Sequence, residues 1–167
     1  LSQDMEFITF ASDNIIKAGI RLSLQAHQLD LFTKIRMYAE TDLEKDLQFW
    51  SKHKEQLKIK RGFGYWIWKP YIFKRHMSQM KDGDILLYLD AGCEIDIRKR
   101  ELLKTYLPIV RRDKIVGTGS HRPEILWTKA DLAFIWPLDG SEQRQSGIIM
   151  LLVCKQTRKL IDEWYDL

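Results

Sequence analysis

The sequence predicts an α/β domain: a mostly parallel central sheet with helices on both faces. Three observations predict it. Short runs rich in β-branched and aromatic residues alternate along the chain with longer stretches whose apolar residues recur at helical spacing. The run "DILLYLD", residues 84 to 90, is nearly all apolar, as a strand covered on both faces by crossover helices has to be. No linker, internal repeat or low-complexity segment divides the 167 residues, a length that suits one domain with a real hydrophobic core.

Taken in order, "MEFITFAS" reads as the first strand, and Ser12 or Asp13 can cap the helix that follows it. Across "NIIKAGIRLSLQAHQL", residues Ile15, Ile16, Ile20, Leu24 and Ala26 mark the apolar side of that helix. "LFTKIRMYAE" reads as a second strand. In "TDLEKDLQFW", Thr41 and Glu44 form a capping box, and Leu43, Leu47 and Trp50 line one side of the helix it opens. Pro70 fixes its own φ and suits a first helical turn, so "PYIFKRHMSQM" is expected as a helix that Gly83 breaks. After the strand ending at Asp90 come a helix over "IRKRELLKTYL", a strand over "KIVGTG" and a short helix over "TKADLAFI". A strand over "SGIIMLLVC" and a last helix over "TRKLIDEWYDL" close the pattern. In sheets of this class ligands bind beyond the carboxyl ends of the strands, so the residues just after each strand are the ones to inspect.

Composition narrows the function. Hydrophobic residues at 45% and charged residues at 30% describe an ordinary globular chain, and no apolar run approaches the roughly 20 residues that span a bilayer. Net charge is +4 with basic and acidic residues interspersed, a milder field than a dedicated nucleic-acid binder carries. Cys93 and Cys154 fit neither a disulfide framework nor a zinc cluster, which suits a reducing, cytoplasmic compartment. The chain starts at Leu1 without a charged-then-apolar leader, so no signal peptide is expected.

Four stretches carry chemistry. In "LLYLDAGCEID" a buried strand delivers Asp90 to its carboxyl end, and the small Ala91 and Gly92 let a ligand approach the backbone. A carboxylate there is either a hard ligand for Mg²⁺ or Mn²⁺ bridging a diphosphate, or the cap of a turn. In "RGFGYWIWKPY", residues 61 to 71, Gly62 and Gly64 permit tight backbone geometry. Tyr65, Trp66 and Trp68 offer a platform for a nucleobase or sugar, and Arg61 and Lys69 can neutralise phosphate; the alternative is a hydrophobic cluster under a loop. In "LWTKADLAF", Trp127, Lys129 and Asp131 flank a helix start, where a cation and a carboxylate could reach the same rim or merely belong to a capped surface helix. Gln145 and Gly147 in "RQSGIIM" read as a turn before a strand. The four histidines show no metal-ligand spacing, and only His121, in the loop before "WTKAD", is a site candidate.

In this order and at this spacing, "ITFASDNIIKAGIRLSLQA", "RGFGYWIWKPY", "GDILLYLDAGCEI", "WTKADLAF" and "SGIIMLLVCKQTRKLIDEW" resemble a family of GT-A-fold glycosyltransferase-like proteins found in bacteria and in large DNA viruses, including those of chlorella. The resemblance covers nearly the whole chain. It implies a nucleotide-sugar donor, a divalent metal (Mn²⁺ or Mg²⁺) and transfer of a hexosyl or deoxyhexosyl group to a hydroxyl of a glycan or glycoconjugate acceptor. On it Thr9, Phe10 and Arg21 hold the nucleotide end, and Asp90 matches the first acid of the family's Asp-any-Asp metal motif. Gly92 stands where the second acid belongs, so Glu94, Asp96 or a residue elsewhere is the candidate substitute. The family pattern continues past the last helix to an Arg-His-Asp-Gln-Ser segment, so residues 1–167 are expected to be a single domain lacking that end.

Sugar transfer breaks an anomeric C–O bond and places charge on a departing nucleoside diphosphate, so stabilising that charge is the main demand on the site. Lys69, Arg61 and a metal at Asp90 are the candidates, with Asp131 as base for the acceptor hydroxyl if the reaction inverts. Trp127, Lys129, His121 and Gln145 are placed on the acceptor or sugar side. The competing expectation is a noncatalytic carbohydrate- or nucleotide-binding module that stacks ligands on the aromatic run, and RNA binding is weaker because the basic charge is not clustered. No nucleic-acid partner and no membrane span are expected.

Overall fold

The computed structural model describes residues 4–128, 130–135, 138 and 140–167. A five-stranded sheet of order β2-β1-β3-β5-β4 forms its middle. Its strands are β1 (Met5–Ala11), β2 (Lys34–Ala39), β3 (Ile85–Leu89), β4 (Ile115–Pro123) and β5 (Glu142–Leu152). β1 pairs in parallel with both β2 and β3, while β5 runs antiparallel to β3 and to β4, so four strands point one way and only β5 is reversed. The mostly parallel α/β sheet expected from the sequence is therefore present. β3 has all five residues buried, which accounts for its unbroken apolar sequence.

Helices cover both faces. On one side α3 (Leu47–Leu57), α5 (Trp68–Met77) and α9 (Lys155–Asp166) pack on Ile8, Phe10, Leu86, Tyr88, Ile149 and Leu151. On the other, α1 (Ile16–Leu29), α6 (Arg100–Thr105) and α7 (Leu107–Asp113) meet Phe7, Ile85, Leu87 and Met150. The alternation of these strand residues between the two cores is the period-two geometry of a strand. The remaining helices are short: α2 (Glu40–Glu44), α4 (Gly62–Tyr65) and α8 (Ala130–Ile135).

Several boundaries and faces differ from the sequence reading. α1 buries Gly19, Leu22, Ala26 and Leu29, leaving Ile15, Ile20 and Leu24 exposed. Close packing decides this, because a Cβ at Gly19 would lie 2.6 Å from Ala11 Cβ, so the glycine face is the one that can press on the sheet. β2 begins at Lys34 rather than Leu31, since Asp30 ends α1 in the left-handed region (φ 49°) and the chain turns before pairing. The expected helix from Thr41 is two helices: Asp42 accepts from Ala39 N at 2.9 Å, and Asp46 caps α3 by accepting from Phe49 N at 3.0 Å. Leu47 consequently faces solvent, and Phe49, His53 and Leu57 form the buried stripe. β5 starts at Glu142, so Gln145 lies within a strand opposite Thr118 instead of in a turn.

Candidate active site

The carboxyl ends of β1 and β3 bring together Thr9, Phe10, Arg21, Trp68, Lys69, Asp90, Ala91 and Gly92. Asp90 follows β3 and is the exposed tip of a buried polar cluster. Its Oδ1 accepts from Lys69 Nζ at 2.9 Å and from the Tyr88 hydroxyl. Lys69 is 2% exposed while the Asp90 side chain is 40% exposed, so a concealed ammonium anchors a partly open carboxylate. The remaining donors of Lys69 reach Ser146 O at 3.1 Å and Ser146 Oγ at 3.3 Å. Burial pushes the Lys69 pKa down, opposed by the Asp90 charge, and burial pushes the Tyr88 hydroxyl well above its ordinary value.

Oδ2 of Asp90 faces Gly147, where a side-chain Cβ would stand 3.0 Å from it, so the glycine keeps that oxygen uncovered. β5 also fixes the backbone, since Asp90 N donates to Gly147 O at 2.8 Å. A Cβ at Gly92 would meet nothing within 4 Å, leaving the backbone after Asp90 open to close approach. Arg21 on α1 steadies this loop by donating to Ala91 O at 3.3 Å and Cys93 O at 2.9 Å.

The aromatic run takes an unusual backbone path. Gly62, Phe63, Gly64, Tyr65 and Trp66 all have positive φ, so α4 and its cap form one left-handed turn. Non-glycine residues in this region cost of order 1 kcal/mol each, and such strain persists where the surroundings over-determine it. Here Gln56 Nε2 donates to Gly64 O at 3.2 Å and Trp68 Nε1 donates to Gly62 O at 3.1 Å. The turn divides the rings. Trp68 is buried and stacks on Phe10 with centroids 3.9 Å apart, whereas Tyr65 and Trp66 remain 55% and 43% exposed. Trp68 also joins the Asp90 cluster, with Lys69 Nζ 5.7 Å from its ring centroid.

The structure therefore sorts the candidates. Thr9 is fully buried and donates to Leu89 O at 2.7 Å, and Phe10 is a core residue, so both support the strand ends from beneath and do not hold a nucleotide directly. Trp68, Ala91 and Lys69 are buried as well, and Lys69 cannot neutralise a phosphate while its donors serve Asp90 and Ser146. Arg61, Tyr65, Trp66 and Gly92 are exposed. His121, Trp127 and Asp131 belong to the β4–α8 segment, and their bonds run elsewhere: His121 to Glu142, Trp127 under the Arg122 guanidinium at 5.6 Å, and Asp131 to Leu132 N at 3.0 Å. Gln145 is exposed on β5, and Lys129 lies outside the described residues. Sequence reasoning missed Tyr88 and Ser146. Tyr88 stands two residues before Asp90, the spacing that places strand neighbours on one face; Ser146 had no such signal.

A divalent ion does not fit the residues at Asp90. Such an ion is held by one or two carboxylates together with substrate oxygens, and among the described residues no group of three His, Cys, Asp or Glu side chains could hold one by itself. One oxygen of Asp90 is already engaged by an ammonium and a hydroxyl. Of the acids that follow Asp90, Asp96 pairs with Arg98 through bonds of 2.8 and 2.9 Å, and the exposed Glu94 accepts from Gln25 at 3.5 Å.

The sheet and the helices on its two faces make the Rossmann-like α/β architecture of GT-A glycosyltransferases. Among solved structures, the chain is similar to a glycosyltransferase involved in the glycosylation of the major capsid of PBCV-1, at 8% identity and a TM-score of 0.58, over 98% of this chain and 66% of that one. It also aligns with the galactosyltransferase LgtC in complex with donor and acceptor sugar analogs, at 13% identity and a TM-score of 0.49, over 97% of this chain and 65% of that one. The chain thus spans about two thirds of the length of each, and the likeness is one of fold. No known family profile and no curated protein matches the sequence.

Proposed function

We propose that this chain is a glycosyltransferase domain that moves a hexosyl or deoxyhexosyl group from a nucleotide-diphosphate donor to a hydroxyl of a glycan or glycoconjugate. The observation that carries the reading is Asp90: a carboxylate fixed through one oxygen, open at the other, at the carboxyl end of the central parallel strand, where α/β sheets bind ligands. Its open oxygen can accept a donor hydroxyl, and Gly92 lets the ligand lie against the backbone. The exposed rings of Tyr65 and Trp66 supply stacking surface for a base or sugar, and Arg61 a charge for phosphate. Likeness of fold to glycosyltransferases supports the donor class. Asp131, Trp127, His121 and Gln145, on the β4–α8–β5 side, are assigned to the acceptor, with Asp131 as the base.

Asp90→Asn tests the reading; it also removes the counter-charge of the buried Lys69 ammonium, so its melting temperature is expected to fall and activity is compared at a temperature where both proteins are folded. Sugar release or transfer from a panel of nucleotide sugars is expected to fall about a hundredfold in kcat/KM, or about 3 kcal/mol. Release at background in wild type and variant alike would leave a binding module instead of an enzyme.

A further inference from the structure

We infer that the Lys69 ammonium neutralises Asp90 in place of a divalent ion, so that ligand binding beside Asp90 is independent of Mn²⁺ and Mg²⁺. The inference rests on the nucleotide-sugar reading for its ligand class, but its argument comes from the packing around Asp90.

Lys69 Nζ lies 2.9 Å from Oδ1, and the lysine is 2% exposed. A metal recruited by Asp90 would stand close to this fixed positive charge. Drawing the carboxylate away from Lys69 would instead leave a buried ammonium without its counter-charge. Tyr88 adds a second donor to the same oxygen, and its hydroxyl keeps its proton because burial and the neighbouring carboxylate both disfavour the phenolate. Only Oδ2 remains for a ligand.

The position of Lys69 is built into the fold. The residue is in the first turn of α5, and Ser146 on β5 holds its ammonium from the far side through both a carbonyl and a hydroxyl. Of the two acids that follow Asp90, Asp96 pairs with Arg98 and Glu94 accepts from Gln25, and among the described residues neither bonds to the lysine. The Lys69–Asp90 pair is electrically neutral as a unit. A bare carboxylate would repel a diphosphate and need a metal to bridge the two; a neutralised one can take a hydroxyl while the phosphates turn toward exposed cations such as Arg61.

Two measurements on the folded protein test this. The first is calorimetric titration of nucleoside diphosphates in excess EDTA and in millimolar Mn²⁺. The Kd is expected to agree within about twofold between the two conditions; tightening of about tenfold or more by Mn²⁺ overturns the inference. The second is titration with Mn²⁺ alone, followed by the paramagnetic resonance of the free ion. Wild type and Asp90→Asn are expected to take up the same amount. Mn²⁺ held by wild type and released by Asp90→Asn overturns the inference. If Asp90→Asn does not fold, the calorimetric comparison, which uses wild type alone, decides the matter. If no nucleoside diphosphate binds under either condition, the nucleotide-sugar reading falls, and Mn²⁺ titration still decides whether Asp90 is a metal ligand.

Discussion

Lys69 and Asp90 lie 21 positions apart and meet at 2.9 Å, and their pairing changes what each can do. The sequence marks both residues, because one ends a buried strand and the other follows an aromatic run, but it does not show that they spend their charges on each other. A second buried polar group makes a separate prediction. His76 is 1% exposed, with Nδ1 2.9 Å from the Tyr38 hydroxyl and Nε2 2.8 Å from Glu6 Oε2. A neutral ring donating to Glu6 and accepting from Tyr38 satisfies all three groups. Burial, aided by Lys34 and Arg36, pushes its pKa from 6.5 down to about 4. The unfolded chain therefore binds this proton first, and stability present above pH 6.5 is lost as pH falls toward 4, by up to about 3 kcal/mol. Burial raises the Glu6 pKa, so its folded form takes a proton earlier than its unfolded form and returns part of that loss. Urea unfolding at pH 7 and pH 4.5 should show a steeper loss for wild type than for His76→Gln; equal losses would remove His76 from the account.

At the scale of an element, the left-handed turn is the feature the sequence half revealed. Two glycines in "RGFGYW" announce tight geometry, but nothing local signals that Phe63, Tyr65 and Trp66 join them at positive φ. That outcome depends on partners distant in the chain or on the far side of the turn, chiefly Gln56, Trp68 and the Phe10 ring. Gly64→Ala should destabilise by about 2 kcal/mol, since its φ is +79° and the added Cβ would stand 3.0 Å from Gln56 O and Leu57 Cα. Gly92→Ala, with open space around it, should stay within about 0.5 kcal/mol of wild type. Thermal melts of the two check the contrast, and equal effects would mean the turn is not under the constraint described. Trp66→Ala removes an exposed ring and should weaken nucleotide-sugar binding by about 1 to 3 kcal/mol with little change in melting temperature, measured by calorimetry. Unchanged affinity would take that ring out of the site. The misread helix faces have a related cause: in α1 and α3 the apolar residues do not form one clean stripe, and packing against Ala11 and Met37, or the cap at Asp46, selects the buried side.

For the whole molecule, strand and helix alternation was enough to give the architecture, because crossover helices and a strand buried on both faces leave few other arrangements. The reversal of β5 was not legible, since an apolar strand reads alike in either direction, and it matters for function: β5 delivers Ser146 to Lys69 and Gly147 to Asp90. The proposed nucleotide-sugar site lies beyond the carboxyl ends of β1 and β3, beside the 61–68 turn. Titrating ¹⁵N-labelled protein with nucleotide sugars and following amide and indole resonances locates the ligand most directly. The account predicts saturable shifts at Trp66, Gly92 and the Trp68 indole, whose proton is bonded to Gly62 O. Saturable shifts confined instead to Ile115, Val116, Leu160 and Trp164 of the 460 Å³ cavity, with its Gln145 and Ser146 side and the Asp90 region unmoved, would contradict it.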